Sequence, residues 1–230
     1  MSNYEDGVAA YKKRQDKEAA ALFRKALEEN PEQFRAAVYL ALTLERAGDL
    51  ESALGAARLA TGINGGYAKG HNALGNIHRA MGNLEEALTA YRAATKIEPG
   101  SALYRHNLGI TLFDVGQLDA AQQELAEASS MDPNNADVAW DLAQAAAKRN
   151  DLSTAKNGLE KYLEVRPRGV HAQQAWCDLG DALVAMGDAV GARLAYNTYL
   201  EGPPDEREGE VRAKLERLER DDPNVGPAFG

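Results

Sequence analysis

The fold of this chain is decided by residues 68–101, which read AKGHNALGNIHRAMGNLEEALTAYRAATKIEPGS. The Gly82-Asn83 pair separates two runs with helical periodicity, and Pro99 ends the second run because proline cannot continue a helix. The residues that set the periodicity are Leu74, Gly75 and His78 in the first run and Ala87, Tyr91 and Ala94 in the second. Two such runs with a breaker between them predict a helical hairpin.

The same plan returns at a fixed interval of 34 residues. One series marks the second helix of each hairpin, and another, twelve residues later, marks its end. The first series is Ala19, Ala53, Ala87, Ala121 and Ala155, and the second is Pro31, Gly65, Pro99, Pro133 and Pro167. A fixed period of this length is typical of repeat solenoids, so we predict an all-α fold of antiparallel helix pairs.

The register predicts six hairpins followed by a C-terminal segment. The sixth repeat alanine, Ala192, comes three residues late, which predicts a longer loop over residues 166–171. The predicted hairpins span about 1–33, 34–67, 68–101, 102–135, 136–172 and 173–204. Residues 205–220 are predicted to form a capping helix, because a solenoid needs a polar end, and a docking helix for another chain is the alternative. Residues 221–230 are predicted to be a flexible tail.

This pattern resembles the tetratricopeptide repeat (TPR) family. The two repeats that match best carry Leu74-Gly75, Ala87, Tyr91 and Pro99, and Trp176, Leu179-Gly180, Ala192, Tyr196 and Pro204. Histidines replace the usual aromatic residues at His71 and His78, and Gly65 replaces a proline. The resemblance implies a right-handed superhelical solenoid whose first helices line a concave groove that binds an extended or helical segment of a partner protein.

Composition limits the possible functions. The formal net charge of −9 argues against a nonspecific nucleic-acid binder, which needs a basic surface. The single cysteine, Cys177, excludes an intramolecular disulfide and suits a reducing compartment. Residues 1–6 lack the features of a signal peptide, and no apolar run reaches the roughly 18 residues of a membrane span. We therefore expect a cytoplasmic protein without direct membrane insertion.

The resemblance also predicts which residues face the groove. They are the residues of each first helix that do not occupy the Leu-Gly packing positions. The predicted groove residues are Arg35, Lys69, Asn72, Asn76, Arg79, His106, Asn107, Ile110, Phe113, Asp137, Trp140, Asp141, Gln144, Asp178 and Asp181, with Val38 and Cys177 on the same face. In chain order they change from cationic and amide-rich to apolar and then anionic, which predicts a ligand segment with two charged ends and an apolar middle, unless the charges fall this way by chance.

Two sets of these residues have specific predicted roles. The carboxamides of Asn72, Asn76 and Asn107 both donate and accept, so they suit a peptide backbone. Phe113 and Trp140 are predicted anchors, because aromatic side chains dominate interface energetics.

The sequence argues against one TPR subtype. Co-chaperones of this family hold C-terminal carboxylates with basic and Asn side chains, and Asn76 and Asn107 match two of those places. Asn72 stands where the first lysine is expected, and Asp137 and Asp141 stand at the last two basic places. Aspartates would repel a carboxylate, so binding of chaperone tails is not expected.

Catalytic and cofactor signals are weak. His71 and His78 are seven residues apart at core positions, which favours packing over metal binding. Residues 62–66 are glycine-rich but lack the lysine of a P-loop and follow a helix, so they predict a turn. Cys177 has no activating partner in the sequence. We expect no enzyme activity, no metal and no cofactor.

These observations predict a noncatalytic adaptor or scaffold that binds a protein or peptide partner. Two alternatives remain open at this stage: a structural protein that assembles with itself as a homo-oligomer, and a bacterial pilus or secretion-system assembly factor or chaperone. Six-repeat proteins of the latter kind are usually anchored through an N-terminal cysteine, which this sequence lacks.

Overall fold

The computed structural model describes residues 2–221, and every regular element in that range is an α-helix. The prediction of an all-α fold is therefore confirmed. The thirteen helices of the described range are α1 (Asn3–Lys12), α2 (Asp16–Glu29), α3 (Phe34–Arg46), α4 (Leu50–Ile63), α5 (Ala68–Ala80), α6 (Leu84–Ile97), α7 (Ala102–Asp114), α8 (Leu118–Met131), α9 (Ala136–Lys148), α10 (Leu152–Val165), α11 (Ala172–Ala185), α12 (Ala189–Leu200) and α13 (Glu208–Asp221). Residues 222–230 lie outside the described range, and with them most of the predicted flexible tail.

The chain divides after Met131 into two compact units. The first unit contains α1–α8 and the second contains α9–α13. Each odd-numbered helix from α1 to α11 packs against the helix that follows it, and within each unit one hairpin packs against the next. In the first unit the first helices α1, α3, α5 and α7 also contact one another in order, so they form a continuous row. Each unit is therefore a stack of hairpins.

A single left-handed residue makes the turn inside every hairpin. Glycine supplies it in four of the six turns, as at Gly82 with φ of 80°, because glycine adopts positive φ without steric cost. Asn150 and Arg14 supply it in two others, with φ of 60° and 57°. Asparagine tolerates this conformation better than most residues. The breakers seen in the sequence therefore mark the reversal of the chain.

Close approach of the two helices is the second device that shapes a hairpin. A Cβ atom added at Gly75 would lie 2.6 Å from Cε1 of Tyr91, and one added at Gly180 would lie 2.3 Å from Cε1 of Tyr196. Both distances are far below van der Waals contact, so the tyrosine rings occupy the space that a side chain would fill. Tyr91 and Tyr196 are fully buried. Glycine in the first helix and tyrosine in the second thus form one packing unit.

The C-terminal helix packs against the end of the second unit. Val211 of α13 is fully buried in the core that includes Tyr196 and Tyr199, and Leu215 and Leu218 pack against that core. The remaining surface of α13 is mostly charged. A helix with one narrow apolar face covers exposed core and presents a polar surface to water. None of the helices between residues 2 and 221 is long and apolar enough to cross a membrane.

Candidate functional site

A polar pocket of about 490 Å³ opens on the first-helix face of the first unit, and we call it the amide pocket. Its lining comes from α3, α5, α6 and α7. The lining residues are Glu45, Asn76, Arg79, Ala80, Leu84, Tyr91, Asn107 and Asp114. Three of the predicted groove residues, Asn76, Arg79 and Asn107, therefore meet in one place.

Two hydrogen bonds orient the carboxamides of this pocket. The hydroxyl of Tyr91 donates to Oδ1 of Asn76 at 2.8 Å, and Nδ2 of Asn107 donates to Oδ1 of Asn72 at 2.8 Å. A carboxamide has one acceptor oxygen and one donor NH₂ group, so fixing one end fixes the other. These bonds leave Asn76 its amide nitrogen to offer as a donor and Asn107 its oxygen to offer as an acceptor.

Charged groups frame the carboxamides. Arg79 forms a salt bridge with Asp114 at 3.0 Å, from α5 to α7. Glu45 of α3 lines the pocket as well, and burial raises the pKa of its carboxyl. Burial also raises the pKa of Tyr91 well above its usual value, so its hydroxyl stays protonated and keeps donating to Asn76. The pocket offers neutral amide groups beside an ion pair and a half-buried acid.

The other predicted residues of the first unit occupy less open positions. Lys69 lies over the ring of Tyr39, with its Nζ 4.1 Å from the ring centroid, and Arg35 is exposed beside Phe34. Asn72 is only 7% exposed, so it orients Asn107 and is not itself available to a partner. The remaining residues are half-buried, namely His106, Ile110 and Phe113, whereas Val38 is fully buried.

A second pocket, of about 430 Å³, opens in the second unit between α9, α10 and α11, and we call it the acid pocket. Its floor is apolar, and its polar lining comes from Gln144, Lys148, Gln174, Asp178 and Asp181. Nε2 of Gln144 donates to Oδ2 of Asp178 at 3.4 Å, a long bond from α9 to α11. Burial raises the pKa of the Asp178 carboxyl, against the opposing effect of this bond.

Two basic residues near the C-terminus contact the same acids. Arg207 lies 3.5 Å from Oδ1 of Asp178, and Nζ of Lys214 in α13 lies 2.7 Å from Oδ1 of Asp181. The hydroxyl of Tyr196 also donates to Oδ1 of Asp181 at 2.6 Å. The acids predicted to face a ligand are therefore partly neutralised by the chain itself.

The remaining predicted residues of the second unit take part in packing or surface pairs. The Trp140 indole stacks on the ring of His171 at 4.6 Å and contacts Tyr162, so most of it serves the core rather than a ligand. Asp137 forms an exposed salt bridge with Arg166 at 2.5 Å. Asp141 is half-buried.

The two histidines and the cysteine that the sequence raised as candidates for metal binding or catalysis take part in packing or in local hydrogen bonds. Nε2 of His71 bonds the backbone oxygen of Gly65 at 2.9 Å, and His78 is buried, which lowers its pKa. Cys177 is buried, and not on an open face as its register suggested, because it belongs to the core of the second unit. Burial raises the pKa of its thiol to about 11, so the reactive thiolate is scarce. Residues 2–221 contain no group of three His, Cys, Asp or Glu side chains placed to hold a metal ion.

Sequence reasoning missed two residues that line the pockets and one that pairs with a lining residue. Asp114, Lys148 and Lys214 were not anticipated. Asp114 had a signal in the register, because it lies 35 residues after Arg79, one residue more than the length of a repeat. Lys214 had none, since it lies beyond the last repeat.

Three family models match the sequence. One, described as TPR repeat, matches residues 75–116, and two, both described as tetratricopeptide repeat, match residues 4–68 and 112–177. Together they cover more than half of the chain. A search of curated proteins finds no significant match.

Solved structures share the fold. YrrB, described as a TPR protein with an unusual peptide-binding site, is 21% identical over 86% of this chain and 100% of its own, with a TM-score of 0.75. TTC0263, a thermophilic TPR protein from Thermus thermophilus, is 24% identical over 79% of this chain and 97% of its own, with a TM-score of 0.59. MamA is 19% identical over 81% of this chain and 97% of its own, with a TM-score of 0.67.

Identities this low establish a shared fold and leave the ligand of this chain open. The hairpins stacked within each unit, their 34-residue period and the three family models agree with these structures. The chain belongs to the tetratricopeptide repeat family.

Proposed function

We propose that the protein is a noncatalytic adaptor that binds an extended or helical segment of a partner protein on its first-helix faces. The observation that carries this proposal is the amide pocket, where Asn76 presents a donor and Asn107 an acceptor in fixed orientations. A peptide group of a ligand needs one of each. The pocket holds no nucleophile beside a base, which fits binding better than catalysis.

Preorganisation supports this assignment. Tyr91 and Asn72 hold the two carboxamides before any ligand arrives, so little side-chain entropy remains to be lost on binding. YrrB is described as having a peptide-binding site, and its fold is shared by this chain. The acidic face of the second unit, with Asp178 and Asp181, favours cationic groups in whatever segment binds there.

We further propose that the protein works as an adaptor in the cytoplasm. Its single cysteine cannot form an intramolecular disulfide, which suits a reducing compartment where disulfides are rare. Self-assembly and a role in pilus or secretion-system assembly have no comparable local observation in residues 2–221.

The test removes the two oriented carboxamides. Crosslinking and mass spectrometry in native lysate identify a partner, and titration calorimetry then measures its affinity for purified variants. Asn76→Ala with Asn107→Ala should weaken binding about tenfold or more, because each lost hydrogen bond contributes about 1 kcal/mol.

The matched control is Asn157→Ala with Asn197→Ala, which removes two exposed carboxamides from α10 and α12. This control should bind as the unmodified protein does. Equal affinity of the Asn76/Asn107 variant and the control, with both folded by circular dichroism, would show that the amide pocket is not the binding site.

A further inference from the structure

A second concave surface lies on the other side of the hairpins in the second unit. It is a groove of about 530 Å³ between the second helices α10 and α12, with α11 as its floor, and we call it the outer groove. The floor is apolar and is formed mainly by Trp176, Leu179 and Leu183, with Leu163 of α10 beside it. The groove shares none of its lining with the amide pocket or the acid pocket.

Two large apolar side chains are exposed on α12, one in the lining of this groove and one beside it. Leu194 lines it, and Val190 precedes Leu194 by one turn on the same face of α12. Each is 68% exposed. Exposed aliphatic side chains next to an apolar floor form a contiguous patch, and such patches mark interaction sites.

The repeats themselves show that this patch is not a requirement of the fold. Val190 and Leu194 lie two residues before and two residues after the repeat alanine Ala192. The position before the alanine holds Lys17, Glu51, Glu85, Asp119 and Ser153 in the other repeats. The position after it holds Ala21, Gly55, Thr89, Gln123 and Asn157. All ten of these residues are exposed, so the scaffold accepts small or polar residues at both places.

The charges around the groove indicate what covers it. Its rim carries Glu160, Glu164 and Asp188 against a single cation, Lys156. Lys156 pairs with Glu160 at 3.0 Å, and Lys161, which lies outside the lining, pairs with Glu164 at 3.1 Å. Both pairs lie on the surface of α10, where such pairs contribute little, and Glu164 is 70% exposed. The rim thus has an excess of negative charge beside an apolar centre. A groove between two successive second helices also has the elongated shape that accepts the ridge of a third helix.

We propose that the outer groove binds an amphipathic helix of a partner protein, with an apolar stripe flanked by lysine or arginine. The apolar stripe packs on Leu194, Val190 and the floor, and the flanking cations lie near Glu160, Glu164 and Asp188. This site shares no lining residue with the amide pocket or the acid pocket. The protein would then hold two partners, or two segments of one partner, at the same time.

The test uses a defined probe. A fluorescently labelled peptide of about 18 residues, made of leucine and lysine in helical amphipathic order, is long enough to form a helix, and its binding is followed by anisotropy. Two comparison peptides have the same leucines with glutamate in place of lysine, or the same composition in scrambled order. The unmodified protein should bind the amphipathic leucine-lysine peptide about tenfold more tightly than either.

The decisive variant is Val190→Glu with Leu194→Gln, because Glu85 and Gln123 already occupy these places in other repeats. It should lower affinity for the leucine-lysine peptide about tenfold or more, although the new glutamate attracts the cationic peptide. The matched control is Ser153→Glu with Asn157→Gln, which makes equivalent changes on α10 outside the lining and should not weaken binding. Asn76→Ala with Asn107→Ala should also leave peptide binding unchanged, which separates this proposal from the function of the amide pocket.

Several results would overturn the proposal. They are the absence of binding by the unmodified protein, unchanged affinity of the Val190/Leu194 variant, and equal affinity for the leucine-glutamate or scrambled peptide. A second copy of the chain is the other occupant to test, by analytical ultracentrifugation. If the unmodified protein is a dimer and the Val190/Leu194 variant is a monomer, the groove binds a second copy and not a partner helix. Thermal unfolding of the variant should match that of the unmodified protein, since both positions are exposed.

Discussion

In the third repeat the hydroxyl of Tyr91 donates to Asn76, and in the sixth repeat, at the same places in the register, the hydroxyl of Tyr196 donates to Asp181. The two bonds measure 2.8 Å and 2.6 Å. Each tyrosine is buried and fixed by packing, so the scaffold orients whichever polar residue the first helix supplies. A single exchange of asparagine for aspartate therefore turns a neutral site into an anionic one while the hairpin stays the same.

The largest expected effect tests the shared part of this comparison. Gly75→Ala and Gly180→Ala each place a Cβ within 2.6 Å or less of a buried tyrosine ring, so the rings or the helices must shift. Overpacking of this kind costs about 2 kcal/mol of the free energy of unfolding. Urea denaturation should show similar losses for the two variants, because both repeats use the same glycine-tyrosine contact.

Gly55→Ala is the control for these substitutions. Gly55 lies inside α4, and a Cβ there would meet no atom within 4 Å. Alanine is the better helix former, so this variant should gain about 0.5–1 kcal/mol. If Gly75→Ala or Gly180→Ala lowered the free energy of unfolding no more than Gly55→Ala does, the glycine-tyrosine contact would not be what holds these two repeats.

The repeating part of the molecule could be predicted from sequence, and the non-repeating part could not. Ala87 recurs in every repeat, and Gly75 and Tyr91 recur together as Gly180 and Tyr196, so their packing role follows from the pattern. The orientation of Asn107 depends on Asn72, which lies 35 residues away, and no feature of the pattern indicates that Asn72 itself is buried. The pairing of Lys214 with Asp181 depends on where a helix beyond the last repeat docks, which no period describes.

The next effect tests the part in which the repeats differ. Tyr91→Phe removes a bond to a neutral carboxamide and should cost about 1 kcal/mol of unfolding free energy. Tyr196→Phe removes a bond to a carboxylate, and bonds to charged groups contribute about 1.5 kcal/mol or more. In chemical denaturation near neutral pH, the Tyr196→Phe variant should therefore have the lower free energy of unfolding of the two.

The salt bridge between Lys214 and Asp181 keeps the difference in unfolding free energy between the two variants modest. Asp181 still pairs with Lys214 in the Tyr196→Phe variant, and Asp181 is partly exposed to water. Adding Lys214→Met to each variant removes that pair, and it should lower stability more in the Tyr196→Phe background, where Asp181 has then lost both partners. Identical losses for Tyr91→Phe and Tyr196→Phe in both backgrounds would show that the two hydroxyl bonds are energetically equivalent.

The smallest expected effect concerns the half-buried acids of the two pockets, Glu45 and Asp178. Burial raises the pKa of both Glu45 and Asp178, so each binds a proton more readily in the folded state than in the unfolded chain. Folding stability from such a group falls as the pH rises from its unfolded pKa to its folded pKa, and near neutral pH the folded state bears the cost of the buried charge. Glu45→Gln removes that cost, so the denaturation midpoint near pH 7 should rise slightly.

The pH dependence separates the two regions. The gain from Glu45→Gln should shrink as the pH falls and vanish near pH 4 and below, where the carboxyl of the unmodified protein becomes protonated in both states. Asp178→Asn removes a similar burial cost, but it also leaves Arg207 without the carboxylate 3.5 Å away, so its gain should be smaller or reversed. A gain from Glu45→Gln that persists unchanged at low pH would mean that packing of the new side chain, rather than the buried charge, sets its effect. In the amide pocket Arg79 pairs with Asp114, so Glu45→Gln does not remove the partner of that cation. In the acid pocket Asp178→Asn removes the partner of Arg207. The difference in stability between the two variants therefore measures what Arg207, in the C-terminal segment, contributes to the acid pocket.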